Sequence, residues 1–177
     1  MQSGKPVQEH RGGPETLTGR LGRLLLDSGV QALLLHRAAH KLQQLGVPLL
    51  PELLRRLNIS LTGADLHPSA VIGSGVRLIH SVGIIIGPDA RVGENCDIFG
   101  GVVLGGRGGA RETDGCPIIG HDTVVCVGAK ILGPVTVGNH VTIAAGSVVL
   151  DSMPDYCLVA GMPATVLKVF GGEGSAQ

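Results

Sequence analysis

Aliphatic residues recur at every sixth position along the second half of the chain. The members of this series are Ile119, Val125, Ile131, Val137, Ile143 and Val149. A small or β-branched residue follows most of them four positions later. A period of six is neither the period of an α-helix nor the alternation of a strand. It is typical of parallel β-helices, in which each six-residue unit forms one short strand and one turn.

The same series extends upstream and is interrupted twice. Its upstream members are Leu66, Ile72, Leu78, Ile86, Val92, Ile98 and Leu104. The spacing widens between Leu78 and Ile86, which places an insertion at residues 80–83. No member lies within residues 105–117, a stretch crowded with glycine and charged residues. The second interruption predicts a loop that projects from one coil.

Three six-residue units form one coil of a three-sided prism, and equivalent positions stack on neighbouring coils about 4.8 Å apart. The aliphatic residue points inward, the small residue closes the corner, and glycine or asparagine takes left-handed turn conformations. Such a prism winds left-handed, against the usual rule for parallel crossovers. The predicted fold is therefore mainly β, a left-handed parallel β-helix of hexapeptide repeats preceded by a short α-helical N-terminal region.

The residues before the prism have helical spacing. Leucines recur at three and four over residues 15–27, 30–45 and 48–58, with glycine or proline at the breaks, which predicts three short helices. The predicted boundaries are a flexible N-terminus over 1–14, a helical region over 15–60, the β-helix over 61–153 with its loop at 105–117, and a C-terminal tail over 154–177. His36 and His40 lie one turn apart and fit either interfacial packing or a shared metal ion.

Composition narrows the setting of the chain. Its 177 residues include 29 glycines and only 2% aromatic residues, which suits a narrow prism interior. The formal net charge is zero and no basic run occurs, so we expect no nucleic-acid partner. No apolar stretch reaches the ~20 residues of a membrane span, so we expect no membrane and a cytoplasmic location. The four cysteines have no CxxC spacing and are expected to be reduced thiols.

Several segments resemble the serine acetyltransferases of the hexapeptide acyltransferase superfamily. They are residues 62–68 (TGADLHP), 79–87 (IHSVGIIIG), 103–106 (VLGG), 128–133 (GAKILG), 145–150 (AGSVVL) and 159–164 (VAGMPA), together with the helical stretch HRAAH. Six-residue repeats alone occur in many transferases, whereas the order and spacing of these segments are specific. The resemblance implies transfer of an acetyl group from acetyl-CoA to a hydroxyl, with no metal.

The resemblance implies a catalytic base and a residue that orients it. A neutral hydroxyl is a poor nucleophile at neutral pH, and imidazole can take its proton as attack begins. His80 matches the family's histidine, and it lies at the first interruption, where a displaced loop can reach a ligand. Asp65 matches the aspartate that orients the ring. It precedes His80 by a little less than one coil, so the two can meet.

The resemblance also places CoA in a groove between adjacent prisms, with its pantetheine arm along the coils. The residues at the matching positions are Gly105, Gly106, Val127 and Ala145. Small residues allow close approach of the arm, although glycine after an aliphatic residue can equally serve the fold. Either Lys130 or Lys168 would bind a phosphate group of CoA. The implied assembly is a homotrimer, or a dimer of trimers joined through the helices.

The chain departs from the family where the acceptor is held. Ile79 stands at the family's aspartate before the histidine, and Gly115 and Cys116 stand at an arginine and a histidine, while Asp114 is retained. Asp114 and Cys116 are therefore the candidate acceptor-binding residues. Without the other groups a zwitterion such as L-serine would be bound weakly. A sugar or another small alcohol, as in capsule and exopolysaccharide assembly or secondary metabolism, is the alternative acceptor.

Two further alternatives belong to other classes of protein. His80, Cys116 and His121 are the residue types of a zinc site, which would make the chain a γ-carbonic-anhydrase-like prism. A non-catalytic scaffold that binds a partner through its helices is the other alternative. Cys116 itself could line the acceptor pocket or accept the acyl group as a nucleophile.

Overall fold

Two helices precede the β-helix in the structure, a computed structural model that describes residues 26–108 and 115–171. Helix α1 (Ser28–Gln44) begins after Asp27, whose carboxylate accepts hydrogen bonds from two backbone N–H groups of the first turn. Helix α2 (Leu50–Thr62) ends at Gly63, which takes the left-handed conformation at φ 72°. The terminus predicted over 1–14 and nearly all of the helix predicted over 15–27 lie outside the described residues.

Short strands make up the rest of the described chain. They are β1 (Asp65–Leu66), β2 (Val71–Ile72), β3 (Arg77–Ile79), β4 (Ile85–Ile86), β5 (Arg91–Val92), β6 (Asp97–Phe99), β7 (Val103–Gly105), β8 (Ile118–Ile119), β9 (Val124–Val125), β10 (Lys130–Leu132), β11 (Thr136–Val137), β12 (Thr142–Ile143), β13 (Val148–Val149), β14 (Cys157–Gly161) and β15 (Ala164–Val169).

These strands form the three faces of a left-handed prism. Face A contains β1, β4, β7, β10 and β13, and face B contains β2, β5, β8 and β11. Face C contains β3, β6, β9, β12 and β14, with β15 at its edge. The strands pair in parallel within each face, except that β15 returns antiparallel to β14 as a C-terminal hairpin. The predicted left-handed parallel β-helix behind N-terminal helices is confirmed.

The register of the paired strands locates both interruptions of the aliphatic series. Ile85 pairs with Val103, which lies one regular coil later in the chain. Asp65 pairs with Ile85 across a slightly longer coil, because the insertion at 80–83 lies between them. Val103 pairs with Lys130 across the longest coil, because that coil carries the glycine-rich loop. Each insertion lengthens a single coil and leaves the stacking of the strands intact.

The aliphatic series fills the interior of the prism. Every member is buried except Ile72, which is half-buried against the same core. Small residues such as Ala70, Ala90 and Ala129 are buried at the corners, where a larger side chain would not fit. Truncation of a core residue such as Ile131 to alanine should cost about 2–5 kcal/mol, since the rigid coils cannot collapse around the cavity.

Helix α1 packs on the first coil through two histidines. His36 Nε2 donates a hydrogen bond to the backbone oxygen of His67 at 3.2 Å, and His40 Nδ1 donates to that of Pro68 at 2.7 Å. Burial, together with a smaller effect of the neighbouring His40, lowers the pKa of His36 to about 4. Both rings donate to carbonyl groups of the first coil, so the two histidines pack helix α1 against the prism.

Two observations concern the setting of the chain. All four cysteines are free thiols. Within residues 26–108 and 115–171, neither helix combines the length and the apolar character that crossing a bilayer requires.

Candidate active site

His80 lies at the corner between β3 and β4, where the insertion leaves the prism wall. Its φ of 57° is in the left-handed region, which few residues other than glycine adopt. The next residue, Ser81, is buried and its hydroxyl donates a hydrogen bond to the Thr62 oxygen at 2.7 Å. Gly83 N–H donates to the Gly63 oxygen at 2.9 Å. The backbone around His80 is therefore fixed, while its side chain is exposed.

A cavity of about 840 Å³ lies beside His80. Its wall is formed by residues 26–30 and Leu33 around the start of α1, and by residues 76–80 of the first coil. Two charged residues of this wall have partners, since Asp27 caps α1 and Arg77 forms an ion pair with Asp97. The other described residues of the wall are mainly aliphatic and include Ile79 beside the imidazole. This position and composition suit a small, uncharged molecule presented to the imidazole.

Asp65 lies at the start of β1, and its carboxylate binds helix α2. Arg55 Nε and Nη2 donate hydrogen bonds to Asp65 Oδ1 and Oδ2 at 2.6 and 3.0 Å. This bidentate contact raises the pKa of the Arg55 guanidinium. Arg55 also pairs with Glu52 at 3.2 Å. Within the described part of the chain, no hydrogen bond joins the His80 imidazole to Asp65, which instead ties α2 to the first coil.

Arg55 is a site residue that no sequence pattern selects. It lies ten positions before Asp65, within a leucine-rich helix that carries several charged residues. Its contact depends on the reversal of the chain at Gly63, which turns one face of α2 toward β1. An arginine in the middle of a helix that precedes a strand carrying an aspartate is the only available signal, and it is a common arrangement.

The four residues predicted for CoA flank one face of the prism. Val127 and Ala145 are exposed, and each precedes a glycine in the left-handed conformation at the corner where the chain enters face A. Gly146 N–H donates to the Val127 oxygen at 2.9 Å, so these two corners stack directly. Gly105 and Gly106 lie at the opposite edge of face A, where β7 ends. The insertion that carries His80 enters the same face.

Among the described residues, no neighbour requires glycine at positions 105 and 106. Neither residue has a positive φ. Within residues 26–108 and 115–171, a Cβ at Gly105 would lie 3.9 Å from the nearest atom, Val103 Cγ1, and one at Gly106 would lie 3.8 Å from the nearest, the Gly115 oxygen. By contrast, a Cβ at Gly93 would lie 2.6 Å from the carbonyl carbon of Gly120 in the next coil. Packing between coils requires glycine at position 93. At positions 105 and 106, the described neighbours leave room for a side chain on the outer surface of the prism.

Of the two candidate acceptor-binding residues, the structure describes Cys116. Its side chain is half-buried and packs against the core of the prism. Burial raises the pKa of the Cys116 thiol, and the negative charge of Asp89 raises it further. The thiol is therefore protonated at neutral pH, which fits a pocket-lining group better than a nucleophile. Asp114 lies outside the described residues.

The residues of the alternative zinc site do not form a metal-binding group within one chain. Among the described residues, the only group of three metal-ligating side chains close enough to share an ion consists of His121, Asp122 and His140. Neither His80 nor Cys116 belongs to it.

The chain is similar to curated serine acetyltransferases. It is 44% identical over 147 residues to that of Synechococcus elongatus, across 81% of this chain and 59% of the relative. It is 35% identical over 147 residues to that of Staphylococcus aureus, across 81% of this chain and 67% of the relative. This chain thus spans about three fifths to two thirds of the length of these relatives. No protein-family model matches it.

A solved structure is similar in fold as well as in sequence. The crystal structure of serine acetyltransferase from Brucella abortus in complex with coenzyme A matches this chain with a TM-score of 0.81 and 39% identity. The match covers 85% of this chain and 60% of the other. The matched region includes most of the described helices and coils.

Proposed function

The chain belongs to the serine acetyltransferase family, and we propose that it transfers an acetyl group from acetyl-CoA to a hydroxyl acceptor. The observation that carries the proposal is the exposed His80 imidazole, which lies on a fixed backbone beside a cavity and at the edge of face A. Acyl transfer needs a base within reach of the alcohol and a surface that positions the thioester against it. His80 and face A together meet both needs.

In the proposed reaction, the neutral His80 imidazole takes the proton of the acceptor hydroxyl. The oxygen forms a bond to the thioester carbonyl carbon, and the carbon–sulfur bond then breaks as the tetrahedral intermediate collapses. The imidazolium returns its proton to the leaving sulfur, which gives CoA thiol and the acetyl ester. The base is thereby restored in its starting state.

Asp65 is the proposed positioning residue for His80. Both of its carboxylate oxygens accept a hydrogen bond from Arg55. Each oxygen has a second lone pair, so Asp65 can contact the imidazole either through that lone pair or after Arg55 releases it. Arg55 ties this carboxylate to helix α2, and the orienting role belongs to Asp65 alone.

For acetyl-CoA, we propose that the pantetheine arm lies across face A between two adjacent prisms. Gly105 and Gly106 at one edge, and Val127 and Ala145 at the other, would line its path. Lys130 lies on β10 of this face and is exposed, whereas Lys168 lies on β15 of face C. Lys130 is thus the better placed of the two lysines to meet a phosphate of the cofactor.

The family name implies L-serine as the acceptor, and one feature of the cavity favours an uncharged alcohol instead. Ile79 borders the cavity beside His80, and the charged residues Asp27 and Arg77 of the wall already have partners. Because Arg77, the only lysine or arginine of the wall among the described residues, is paired with Asp97, the carboxylate of a zwitterion would lose hydration there without gaining a matched charge. A sugar or another small uncharged alcohol is therefore the second candidate acceptor.

Thiol release from acetyl-CoA tests the function and the acceptor together. The purified chain is assayed with L-serine, L-homoserine and a series of sugars and sugar alcohols. Thiol release that depends on the acceptor supports acetyl transfer. The order of the release rates among the acceptors identifies the acceptor class. If no acceptor raises release above hydrolysis, and calorimetry detects no binding of CoA, the chain is instead the non-catalytic scaffold.

We also propose that the chain forms a homotrimer, or a dimer of trimers joined through its helices. Helix α2 exposes an apolar stripe in the single chain, formed by Leu50, Leu53, Leu57 and Leu61. Val71, Ile85 and Ile118 are exposed on the prism wall. Apolar surface of this extent is usually covered by another subunit. The mass of the particle in solution, by light scattering, distinguishes three chains from six.

For the location of the protein we propose the cytoplasm, since the four free thiols fit its reducing environment.

A further inference from the structure

Two histidines on adjacent coils meet on a prism edge away from His80. His121 lies in the turn between β8 and β9, and His140 lies in the turn between β11 and β12, so both are on the edge between faces B and C. The His140 N–H donates a hydrogen bond to the His121 oxygen at 3.0 Å. His80 lies on the edge between faces C and A. The two sites are therefore on different edges of the prism.

The side chains of this edge form a compact group. The rings of His121 and His140 have centroids 5.1 Å apart in an edge-to-face arrangement. Asp122 Oδ2 lies 2.6 Å from His121 Nδ1. Tyr156, from the next turn, stacks on His140 with ring centroids 4.6 Å apart. The carboxylate and the tyrosine ring thus restrict the two imidazoles to positions beside each other.

These contacts leave nitrogen lone pairs for a ligand. The Nδ1 atom of His121 faces the Asp122 carboxylate at 2.6 Å, so a metal ion that replaces the Nδ1 proton would be held by both groups. One ligand atom from each of His121, Asp122 and His140 lies within 4.8 Å of the others. Ligand atoms of a tetrahedral zinc ion lie about 3.4 Å apart, so movement of these side chains by up to about 1.4 Å would close the site.

We propose that His121, Asp122 and His140 bind a divalent transition-metal ion such as Zn²⁺, at a site separate from acyl transfer. Two imidazoles and a carboxylate favour zinc and its neighbours over Mg²⁺ and Ca²⁺, which prefer oxygen ligands. The histidines are exposed, so water completes the coordination. The ion would join two coils near the C-terminal end of the prism and stabilise the folded protein by binding only to it.

Titration of the reduced, metal-free protein with Zn²⁺ tests the site. We expect one zinc ion per chain and a melting temperature that rises with zinc but not with Mg²⁺. His140→Asn and His121→Gln should each weaken zinc binding at least tenfold, and Asp122→Asn should weaken it by less. Asparagine suits position 140 because it tolerates the φ of 53° found there.

His40→Gln is the matched control, since it removes a histidine from the opposite part of the molecule. A cooperative melting transition of each metal-free protein would show that each variant folds. The proposal is overturned if His140→Asn binds zinc as tightly as the unsubstituted chain does. It is equally overturned if the unsubstituted chain binds no more zinc than the double variant His121→Gln/His140→Asn.

Discussion

The substitution Gly105→Ala separates the requirements of the fold from those of the proposed cofactor. Gly105 ends β7 on the outer surface of face A, with no positive φ and with 3.9 Å to the nearest atom that its Cβ would meet. The fold accepts alanine there. Because alanine restricts the unfolded chain, the substitution should stabilise the protein by about 0.4–1 kcal/mol and raise its melting temperature by about 1–4 °C.

The effect on acetyl-CoA should have the opposite sign. Atoms in contact are about 3.5–4.0 Å apart, and a methyl carbon extends about 1.5 Å from the backbone, so the pantetheine arm would have to move outward by about 1 Å or more. Loss of one hydrogen bond to the arm costs about 0.5–1.5 kcal/mol. With the lost contacts, this predicts an increase of about tenfold in KM for acetyl-CoA, while the acceptor KM stays unchanged.

Steady-state thiol release at varied acetyl-CoA, together with thermal melting, measures both quantities. Gly171→Ala is a control at a position where a Cβ would meet no atom of the described residues within 4 Å. Gly93→Ala is a control for packing, since its Cβ would lie 2.6 Å from backbone of the next coil, and it should lower the melting temperature. An unchanged KM for acetyl-CoA in a stable Gly105→Ala protein would refute the assignment of face A to the cofactor.

Two further predictions concern the first coil. Asp65→Asn and Arg55→Gln each remove the same partly exposed ion pair and should cost roughly 1 kcal/mol of stability. Only Asp65→Asn should also lower kcat, by at least about tenfold, because it alone removes the proposed orienting carboxylate; equal kcat values for both variants would limit Asp65 to holding α2. The pKa of His36 is lowered to about 4 from an ordinary 6.5, so between these values the unfolded chain binds more protons than the folded one. Stability should therefore fall as the pH decreases from about 7 to 4, by up to roughly 3 kcal/mol. In His36→Gln this loss of stability at low pH should be absent. If melting curves at several pH values show the same pH dependence of stability for the variant, the assignment to His36 is wrong.

The coils were predictable from sequence because their information is local. An aliphatic residue at every sixth position, such as Ile131 and Val137, specifies an inward side chain and a turn without reference to the rest of the chain. The widened spacing between Leu78 and Ile86 likewise indicated the insertion that carries His80. Register follows directly, since each insertion only lengthens a single coil.

Contacts between secondary-structure elements were harder to predict from the sequence. The Arg55–Asp65 ion pair depends on how α2 is oriented on the first coil, which no local pattern specifies. His121 and His140 lie at nearly the same place on adjacent coils, so their proximity could have been deduced from the repeat of the coils once the turns were aligned. The sequence shows only that Gly105 follows an aliphatic residue. The positions of its neighbours were needed to decide whether this glycine serves packing or a ligand.

The most direct test of His80 as the base is the turnover number of His80→Asn. Asparagine accepts the left-handed backbone at φ 57° and occupies similar space, but it cannot take a proton at neutral pH. We predict that kcat falls by about 10²-fold or more, while CoA affinity by calorimetry and the melting temperature remain those of the unsubstituted protein. A His80→Asn protein that binds CoA and retains near-normal acetyl transfer would contradict the assignment of His80 as the catalytic base.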